Sequence, residues 1–438
     1  MSSGSTTEIE SAIFSGGEGG EGANEKAIGT PIENKDQSVH HEFQEGGLKA
    51  WLVVLGCWCT SFASFGYVNS FGVYETYYLQ TFLSNHSPSD VAWIGAIQAF
   101  AQFSAAMVSG PIADRHGAMV VIWPCSLLLI VAMMLTSLCT EFYQFILCQG
   151  IFLGFSSGLI FTPAISVVGH YFHKRRPIAI AFATTGSPLG GLIYPVIMTN
   201  LLKNKNVGFP WGQRVCGFLT LFLLCIAAVT IRPTPLRRKG PLILPEAFKI
   251  PAFSLQVAGM FMVILGLWTP YFYLADYGSA HGMSENLASY LFAIINAGSF
   301  VGRVFAGTVA RKLGQFNVIA VAAYASAILM FCWLKITSSA GLIVLSILFG
   351  ASSGIVIAMM MSTLAQTADH PSKIGTYLGM STFLIGFGGL AGTPITGALI
   401  ETYHGYSQGI IFSGAVLMAG AVFLTCARFA FSKDKLIV

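Results

Sequence analysis

The residue best suited to bind a charged solute is Arg303, which lies inside a long apolar stretch of the chain. An arginine at the centre of a membrane helix costs about 2.5–3.5 kcal/mol, so its guanidinium should face protein or water. At helical spacing, one polar stripe runs through Asn296, Ser299, Arg303 and Gly307. Because a guanidinium holds a carboxylate through two parallel hydrogen bonds, the stripe predicts a binding surface for an organic anion.

A structural role for Arg303 is the alternative interpretation. Arg303 lies four residues, roughly 6 Å, before the predicted end of its helix, so its side chain could extend to the membrane surface. Further candidates for solute contact are aromatic and polar residues of the first and seventh apolar stretches. These are Tyr67, Asn69, Tyr271 and Tyr273. At least two of the three methionines Met359, Met360 and Met361 are expected to face lipid.

A short polar loop that occurs twice is a candidate conformational latch. The first copy contains Gly110, Asp114, Arg115 and Gly117, and the second contains Gly307, Arg311, Lys312 and Gly314. Glycine permits a tight turn, a carboxylate can meet a helix N-terminus, and a guanidinium can pair with an acid of the other half. The alternative is an ordinary solvated turn. Gly150, Gly154 and Gly158 form a different pattern, a stripe of small residues that predicts close helix packing.

Composition excludes several classes of protein. Of the 438 residues, 54% are hydrophobic and only 10% are charged, and the formal net charge is +4. So apolar a chain indicates a protein embedded in a lipid bilayer, and the dispersed charge argues against nucleic-acid binding. Neither a catalytic motif nor a metal or cofactor pattern is present, so no enzyme activity is predicted. Asn85 begins a glycosylation pattern, Asn85-His86-Ser87.

The elements that position these residues are twelve predicted membrane helices. A hydrocarbon core needs about 20 apolar residues per helix, and twelve runs meet that length. They are 50–74, 91–110, 118–138, 143–167, 177–201, 212–231, 252–275, 287–307, 316–336, 341–365, 374–400 and 408–430. No acidic residue falls inside these runs. Loops on one side carry more Lys and Arg than loops on the other, which predicts that both termini are cytoplasmic.

An internal repeat divides the chain into two halves. The two loop copies are 197 residues apart, and Gly154 and Gly350 begin similar five-residue segments 196 residues apart. Two six-helix halves that rock about a solute site at their interface are one known transporter architecture. The predicted organisation is a disordered cytoplasmic tail 1–46, an N-terminal half 47–231, a cytoplasmic linker 232–250, a C-terminal half 251–430 and a cytoplasmic tail 431–438.

The loop from Gly110 to Gly117 resembles the signature of the major facilitator superfamily between helices 2 and 3. Two further segments are similar to the monocarboxylate porter family, especially its fungal members. They are Glu45-Gly46-Gly47-Leu48-Lys49-Ala50-Trp51 and the stretch from Tyr171-Phe172 to Gly190-Gly191. The resemblance implies the twelve-helix major facilitator fold and a carboxylate-binding role for Arg303. It departs at two positions, because Ser299 stands where animal members have a proton-coupling Asp and Asn69 where they have a Lys.

The sequence therefore predicts a membrane transporter of a small organic anion or amphipathic metabolite that works by alternating access. Import and export, and proton-coupled and uncoupled transport, are all open at this point. Export of a fungal secondary metabolite, vitamin transport and a non-transporting metabolite sensor are the alternatives. The protein is expected to be a monomer in the plasma membrane, with the solute and the lipid bilayer as its partners and no cofactor.

Overall fold

Twelve helices long and apolar enough to cross a membrane make up the fold in the computed structural model. The structure describes residues 46–202, 208–232 and 243–432, and within these ranges its regular structure is entirely helical. We number the spans in chain order. They are Leu48–Gln80, Asp90–His116, Ala118–Thr136, Phe142–Tyr171, Arg176–Leu202, Gly208–Thr230, Pro251–Ala280, Leu287–Leu313, Gln315–Trp333, Ser339–Gln366, Pro371–Thr402 and Ser407–Phe431. The predicted count and fold class are confirmed.

Three of the first five spans are irregular helices. Span 1 contains a π-helical turn at Phe62–Gly66, and span 4 contains a π-helical segment at Ile146–Leu153. Span 5 is interrupted after Thr184, where one helix ends, and resumes at Gly186. Such irregularities often mark functional sites, because they free backbone groups or redirect side chains.

Close packing over glycine recurs at equivalent places in the two halves, as the repeat predicts. A methyl group at Gly154 in span 4 would lie 2.5 Å from the Gln98 carbonyl oxygen of span 2. The equivalent Gly350 in span 10 has the Ile295 carbonyl oxygen of span 8 at 2.2 Å from the same position. Only glycine fits such contacts, so the predicted packing role of this stripe is confirmed at Gly154.

Several spans are longer than predicted, and the extensions of spans 1 and 7 add acidic residues to their helices. Span 1 continues to Gln80 and span 7 to Ala280, because both helices extend beyond their apolar stretches. Glu75 and Asp276 therefore belong to membrane-length helices, one in each half. The predicted apolar runs themselves contain no acidic residue, and Glu75 and Asp276 lie in the helical extensions that follow them.

The methionines of span 10 are also placed differently from the prediction. Met359, Met360 and Met361 are all at least 97% buried, so none of them faces lipid. The predicted N-terminal tail, the C-terminal tail and most of the linker lie outside the described residues. The described end of the linker contains a 3-10 helix at Pro245–Lys249.

Candidate functional site

A central cavity lies between the two six-helix halves at mid-span. The cavity is small in this conformation, with a volume of about 30 Å³, and it is partly open. The lining residues come from spans 1, 2, 4 and 5 of the first half and from spans 7, 8 and 10 of the second. They are Ser61, Phe65, Asn69, Phe103, Phe161, Thr184, Ser187, Ile264, Trp268, Arg303, Ile357, Met360 and Met361.

Arg303 is the charged residue in this lining. Its side chain is only 3% exposed, and its Nη1 donates a hydrogen bond of 2.6 Å to the Thr184 carbonyl oxygen in the opposite half. Its buried Nε has no hydrogen-bond partner. The alternative that Arg303 extends to the membrane surface is wrong in this structure, because the guanidinium points into the protein interior.

The interruption of span 5 places further polar groups beside Arg303. The Asn69 Nδ2 donates to the Ser187 Oγ at 3.1 Å, and the Trp58 indole donates to the Thr185 Oγ1 at 3.1 Å. Asn69 therefore joins span 1 to the interrupted part of span 5. Both Asn69 and Ser187 line the cavity, so their hydroxyl and amide groups are available to orient a solute.

The rest of the predicted stripe on span 8 is buried but lies outside the cavity lining. Asn296 donates to the Phe292 carbonyl at 3.0 Å, and its Oδ1 approaches Gly191 of span 5. Ser299 packs against Gly354 of span 10, and its Oγ has no partner. In this conformation the stripe thus contributes Arg303 to the cavity and the other members to helix packing.

The three tyrosines proposed for solute contact are engaged elsewhere. The Tyr67 hydroxyl donates to Gln213 at 3.1 Å, inside the first half. The Tyr271 hydroxyl lies 3.1 Å from the Ser353 Oγ, and the Tyr273 hydroxyl donates to the Thr393 carbonyl at 3.2 Å. The structure does not bring these rings into the cavity lining.

Several lining residues had no recognisable signal in the sequence. Phe65 lies 4.6 Å from the Phe161 ring and 5.7 Å from the Phe103 ring, so three helices contribute one aromatic wall. Phenylalanine is frequent throughout the chain, so a single Phe gave no indication of its position. The π-helical turn of span 1, which contains Phe65 and ends three residues before Asn69, is visible only in the structure.

The predicted latch residue Asp114 joins the halves at the end of the molecule that carries the loop between spans 2 and 3. We call this the basic end, because its loops are predicted to hold most Lys and Arg residues. Asp114 is 1% exposed, and it accepts hydrogen bonds from the backbone N–H groups of Gly375 at 3.1 Å and Thr376 at 2.6 Å. The Thr376 hydroxyl adds a third at 2.9 Å. A carboxylate thus caps the N-terminus of span 11, where the helix dipole favours negative charge.

The glycines of the two loops have the predicted roles. Gly117 and Gly314 have φ values of 97° and 88°, a conformation that L side chains rarely adopt. A methyl group at Gly110 would lie 2.0 Å from the Gly375 carbonyl oxygen, and one at Gly307 would lie 2.5 Å from the Ile178 Cα. Each loop therefore ends a helix that touches the opposite half.

The cations of the loops are placed differently from Asp114. Arg115, Arg311 and Lys312 are all exposed. In the described part of the chain, none of the three forms an ion pair. The predicted pairing of Arg115 with an acid of the other half is therefore not formed in this conformation.

Two residues at the basic end form contacts between the halves that the sequence did not predict. Arg176 is buried, and it donates to the Gly169 carbonyl of span 4 at 3.0 Å and to the Ala365 carbonyl of span 10 at 3.3 Å. A cation thus sits at the C-terminal ends of two helices from different halves, where the dipole favours positive charge. His170 contacts the Pro371 carbonyl at 3.0 Å.

The remaining expectations concern glycosylation and metal binding. Asn85 lies exposed in the turn between spans 1 and 2, which is compatible with the predicted glycosylation. Among the described residues, no group of three or more His, Cys, Asp or Glu side chains could hold a metal ion.

Comparison with known proteins gives consistent matches over most of the chain. A family model described as Major Facilitator Superfamily matches residues 53–393. The aspyridones efflux protein of Emericella nidulans is 43% identical over 397 residues, which cover 89% of this chain and 81% of that protein. The agnestins efflux protein of Paecilomyces divaricatus is 36% identical over 391 residues, covering 89% of each chain.

Solved structures agree in fold at low sequence identity. The human organic anion transporter MFSD10 superimposes with a TM-score of 0.66 at 14% identity, covering 88% of this chain and 100% of that chain. The proton:xylose symporter XylE gives a TM-score of 0.70 at 12% identity, covering 86% and 95%. FucP in its outward conformation gives 0.67 at 14% identity, covering 86% and 98%.

Proposed function

The chain belongs to the Major Facilitator Superfamily, and we propose that it exports an amphipathic organic anion whose acidic group binds Arg303. Transport by alternating access between two six-helix halves accords with the fold and with relatives that are named as transporters rather than enzymes. The proposal adds the chemical class of the solute, the residue that binds it and the direction of movement.

One observation carries the proposal: a buried guanidinium in a cavity with mostly apolar and aromatic walls. Phe65, Phe103 and Phe161 supply one side of the cavity, and Ile264 and Ile357 belong to the other half. Such walls favour an apolar body, and a cation in a low-dielectric setting favours an acidic group. A solute with both features matches the cavity better than a sugar, which would need many polar partners.

The direction of transport is supported by the relatives. Two of them, at 43% and 36% identity, are named as efflux proteins for the fungal metabolites aspyridones and agnestins. The hydrogen bonds described between the halves join them at the basic end or at mid-span. With the basic end in the cytoplasm, this conformation is closed to the cell interior, a state that importers and exporters both adopt.

The finer assignments of topology and subfamily belong to the same proposal. On the distribution of Lys and Arg we place both termini in the cytoplasm. We further propose that the protein is a monomer in the plasma membrane. Residues 47–231 and 251–430 are the proposed rocking units, with 232–250 as their linker. The proposed kinship with monocarboxylate porters rests on the segment from Glu45 to Trp51 and the stretch from Tyr171 to Gly191, and Arg303 matches their substrate arginine. It does not extend to their proton-coupling Asp, which is Ser299 here.

The test is transport by purified protein in vesicles with an imposed solute gradient. A panel of radiolabelled amphipathic carboxylates, beginning with 4-phenylbutyrate, is compared with the matching neutral carboxamides. Arg303→Ala should reduce carboxylate transport roughly 30-fold or more, because one partner of a buried charge pair is lost. Arg311→Ala, which removes an exposed cation from the same helix, is the matched control and should transport normally.

Two outcomes would contradict the proposal. Equal transport of carboxylates by wild type and Arg303→Ala would remove the anion-binding role of Arg303. Absence of counterflow for every solute in the panel, in protein whose thermal unfolding in detergent is cooperative, would favour a sensor over a transporter.

A further inference from the structure

Proline at position 188 deprives a carbonyl group in the interior of span 5 of its usual helical donor. In a regular helix the N–H of residue 188 would bond the carbonyl of Thr184, four residues earlier. Proline has no N–H, so this bond cannot form, and span 5 is interrupted between Thr184 and Gly186. A carbonyl left without a donor in an apolar interior must find one elsewhere.

The donor comes from the opposite half of the molecule. Arg303 Nη1 lies 2.6 Å from the Thr184 oxygen, whereas the other nearby donor, the Ser61 hydroxyl, is 3.5 Å away. This is the only hydrogen bond of the Arg303 side chain within the described residues, and its buried Nε has no partner. One neutral acceptor therefore occupies a guanidinium that has five donors.

The equivalent position in the second half lacks this arrangement. Thr184 corresponds to Ser381 at the repeat offset of 197, and Ser381 lies inside the uninterrupted helix Ile374–Thr402. Its hydroxyl bonds the Tyr377 carbonyl within the same helix. Ile385 stands where span 5 has Pro188. The contact between a freed carbonyl and a buried cation is therefore formed at the interface of spans 5 and 8 and has no equivalent at that of spans 11 and 2.

We propose that the Thr184 carbonyl, freed by Pro188, competes with the transported anion for Arg303 and occupies it when the basic end is closed. This inference rests on the proposed function, in which Arg303 binds the acidic group of the solute. In the opposite conformation, spans 5 and 8 separate and Arg303 is available to a carboxylate. On closure the carbonyl takes the place of the carboxylate, so affinity falls in the state that releases the solute.

The relative strength of the two partners makes the competition effective. A carboxylate binds a guanidinium through charge-assisted and often bidentate bonds, whereas the carbonyl offers one neutral bond that closure of the halves holds in place. Neutral solutes gain nothing from Arg303 and should be insensitive to the exchange. Because an anion prefers the conformation in which Arg303 is vacant, its addition should shift the population toward that conformation.

The experiment restores the missing N–H with Pro188→Ala, and Pro195→Ala in the same span is the matched control. Nitroxide labels at the exposed residues Val120 and Leu313, one in each half near the basic end, report the distance between halves in full-length protein whose reactive cysteines are replaced. Binding of 4-phenylbutyrate and of its carboxamide is measured on the same samples. The expected gain in affinity for 4-phenylbutyrate in Pro188→Ala is about threefold to tenfold, the equivalent of one neutral hydrogen bond.

The expected pattern has three parts. Without ligand, Pro188→Ala and Arg303→Ala should both populate longer distances than wild type, because each removes the bond between the halves. In wild type, 4-phenylbutyrate should lengthen the distance and the carboxamide should not. Pro195→Ala should match wild type throughout. The ligand-free comparison with Arg303→Ala decides the matter if Pro188→Ala does not fold.

The inference and the proposed function fail in different ways. If Arg303→Ala loses carboxylate binding while ligand-free Pro188→Ala and Arg303→Ala both keep the wild-type distances, the anion site stands and the competition is overturned. If Arg303→Ala binds and transports carboxylates as wild type does, the anion site itself is wrong. If the distances change but the affinity of Pro188→Ala does not, the bond is structural and competition is again excluded.

Discussion

The two halves meet at two interfaces that the internal repeat relates to each other. Spans 2 and 11 pack together at the first interface. Spans 8 and 5 pack together at the second. At the first interface, the buried Asp114 caps the N-terminus of span 11, and both helices are continuous. At the second, the residue equivalent to Asp114 is the exposed Arg311, and span 5 is interrupted. Duplication has thus produced two contacts of the same geometry with different chemistry.

This difference gives the two interfaces different roles. The first interface joins the halves through backbone groups and close glycine contacts, which fix one conformation without involving the solute. The second exposes a freed carbonyl and a buried guanidinium to the cavity, so its contacts can be exchanged for those of a ligand. Three predictions test this comparison, in order of decreasing effect, and the first is paired with a control substitution at the second interface.

The largest effect is expected from Asp114→Ala. The change leaves the N–H groups of Gly375 and Thr376 without their charged acceptor, which is worth about 1.5–3 kcal/mol in a buried setting. The conformation closed at the basic end should lose roughly 10-fold to 150-fold in population relative to the open one. Distance measurements between labels on the two halves would report the shift.

The matched substitution at the second interface, Arg311→Ala, should leave the population of the closed conformation almost unchanged. Arg311→Ala removes an exposed side chain without a described ion pair, so we expect a change within about 0.5 kcal/mol. An equal shift from the two substitutions would show that the interfaces are equivalent and would remove the basis of the comparison.

An intermediate loss of stability is expected from Gly379→Ala in span 11. Its new methyl group would lie 2.4 Å from the Ala106 carbonyl oxygen of span 2, a contact that must push the helices apart. Overpacking of this kind costs about 1–3 kcal/mol. Gly389→Ala in the same helix is the control, because its methyl group would meet only Ile264 at 3.6 Å.

Thermal unfolding in detergent, followed by tryptophan fluorescence, would compare the two glycine variants. Gly379→Ala should unfold at a lower temperature than wild type and Gly389→Ala at the same or a higher one. A stable Gly379→Ala would mean that spans 2 and 11 are not closely packed.

Apart from the Arg311→Ala control, the smallest effect is expected from Asp369→Asn in the loop before span 11. Asp369 pairs with Lys373 at 2.6 Å, but its side chain is 49% exposed, so the pair is worth about 0.2–1 kcal/mol. Partial burial raises the pKa of Asp369, but hydrogen bonding and the charge of Lys373 outweigh it and keep the pKa below its ordinary value. The small stabilisation is therefore present near neutral pH and is lost as the pH falls through this lowered pKa.

Comparison of wild type and Asp369→Asn by thermal unfolding at neutral and acidic pH would show this dependence. The difference between them should be greatest at neutral pH and should vanish in acid. If Asp369→Asn lost more free energy than Asp114→Ala, Asp369 would be the more important of the two acids.

The sequence was most informative where chemistry is concentrated in one unusual residue. Arg303 and Asp114 could be predicted, because a charge in an apolar stretch and a repeated polar loop are both rare patterns. Arg176 could not be singled out, since it stands among other basic residues and its partners are backbone carbonyls. The helix ends were also uncertain, because Glu75 and Asp276 continue helices whose apolar runs have already ended.

The cavity lining was the least predictable part of the site. Tyr67, Tyr271 and Tyr273 have the expected residue types, but small differences in helix rotation direct their hydroxyls to neighbours within each half. Phe65 and Phe161 face the cavity because a π-helical turn and span contacts orient them, and neither feature has a sequence signature. Side-chain direction in a helical bundle depends on packing from several helices at once.

The contacts of Asp114 and Arg176 have a consequence for how such a protein can diversify. Both side chains bind main-chain groups at helix ends, with Asp114 on N–H groups, beside the Thr376 hydroxyl, and Arg176 on carbonyls. Every residue except proline offers the same N–H, and every residue offers the same carbonyl. Outside the closely packed glycines, substitutions on the partner helices can therefore accumulate without loss of these main-chain contacts, which leaves the cavity walls free to adapt to new solutes.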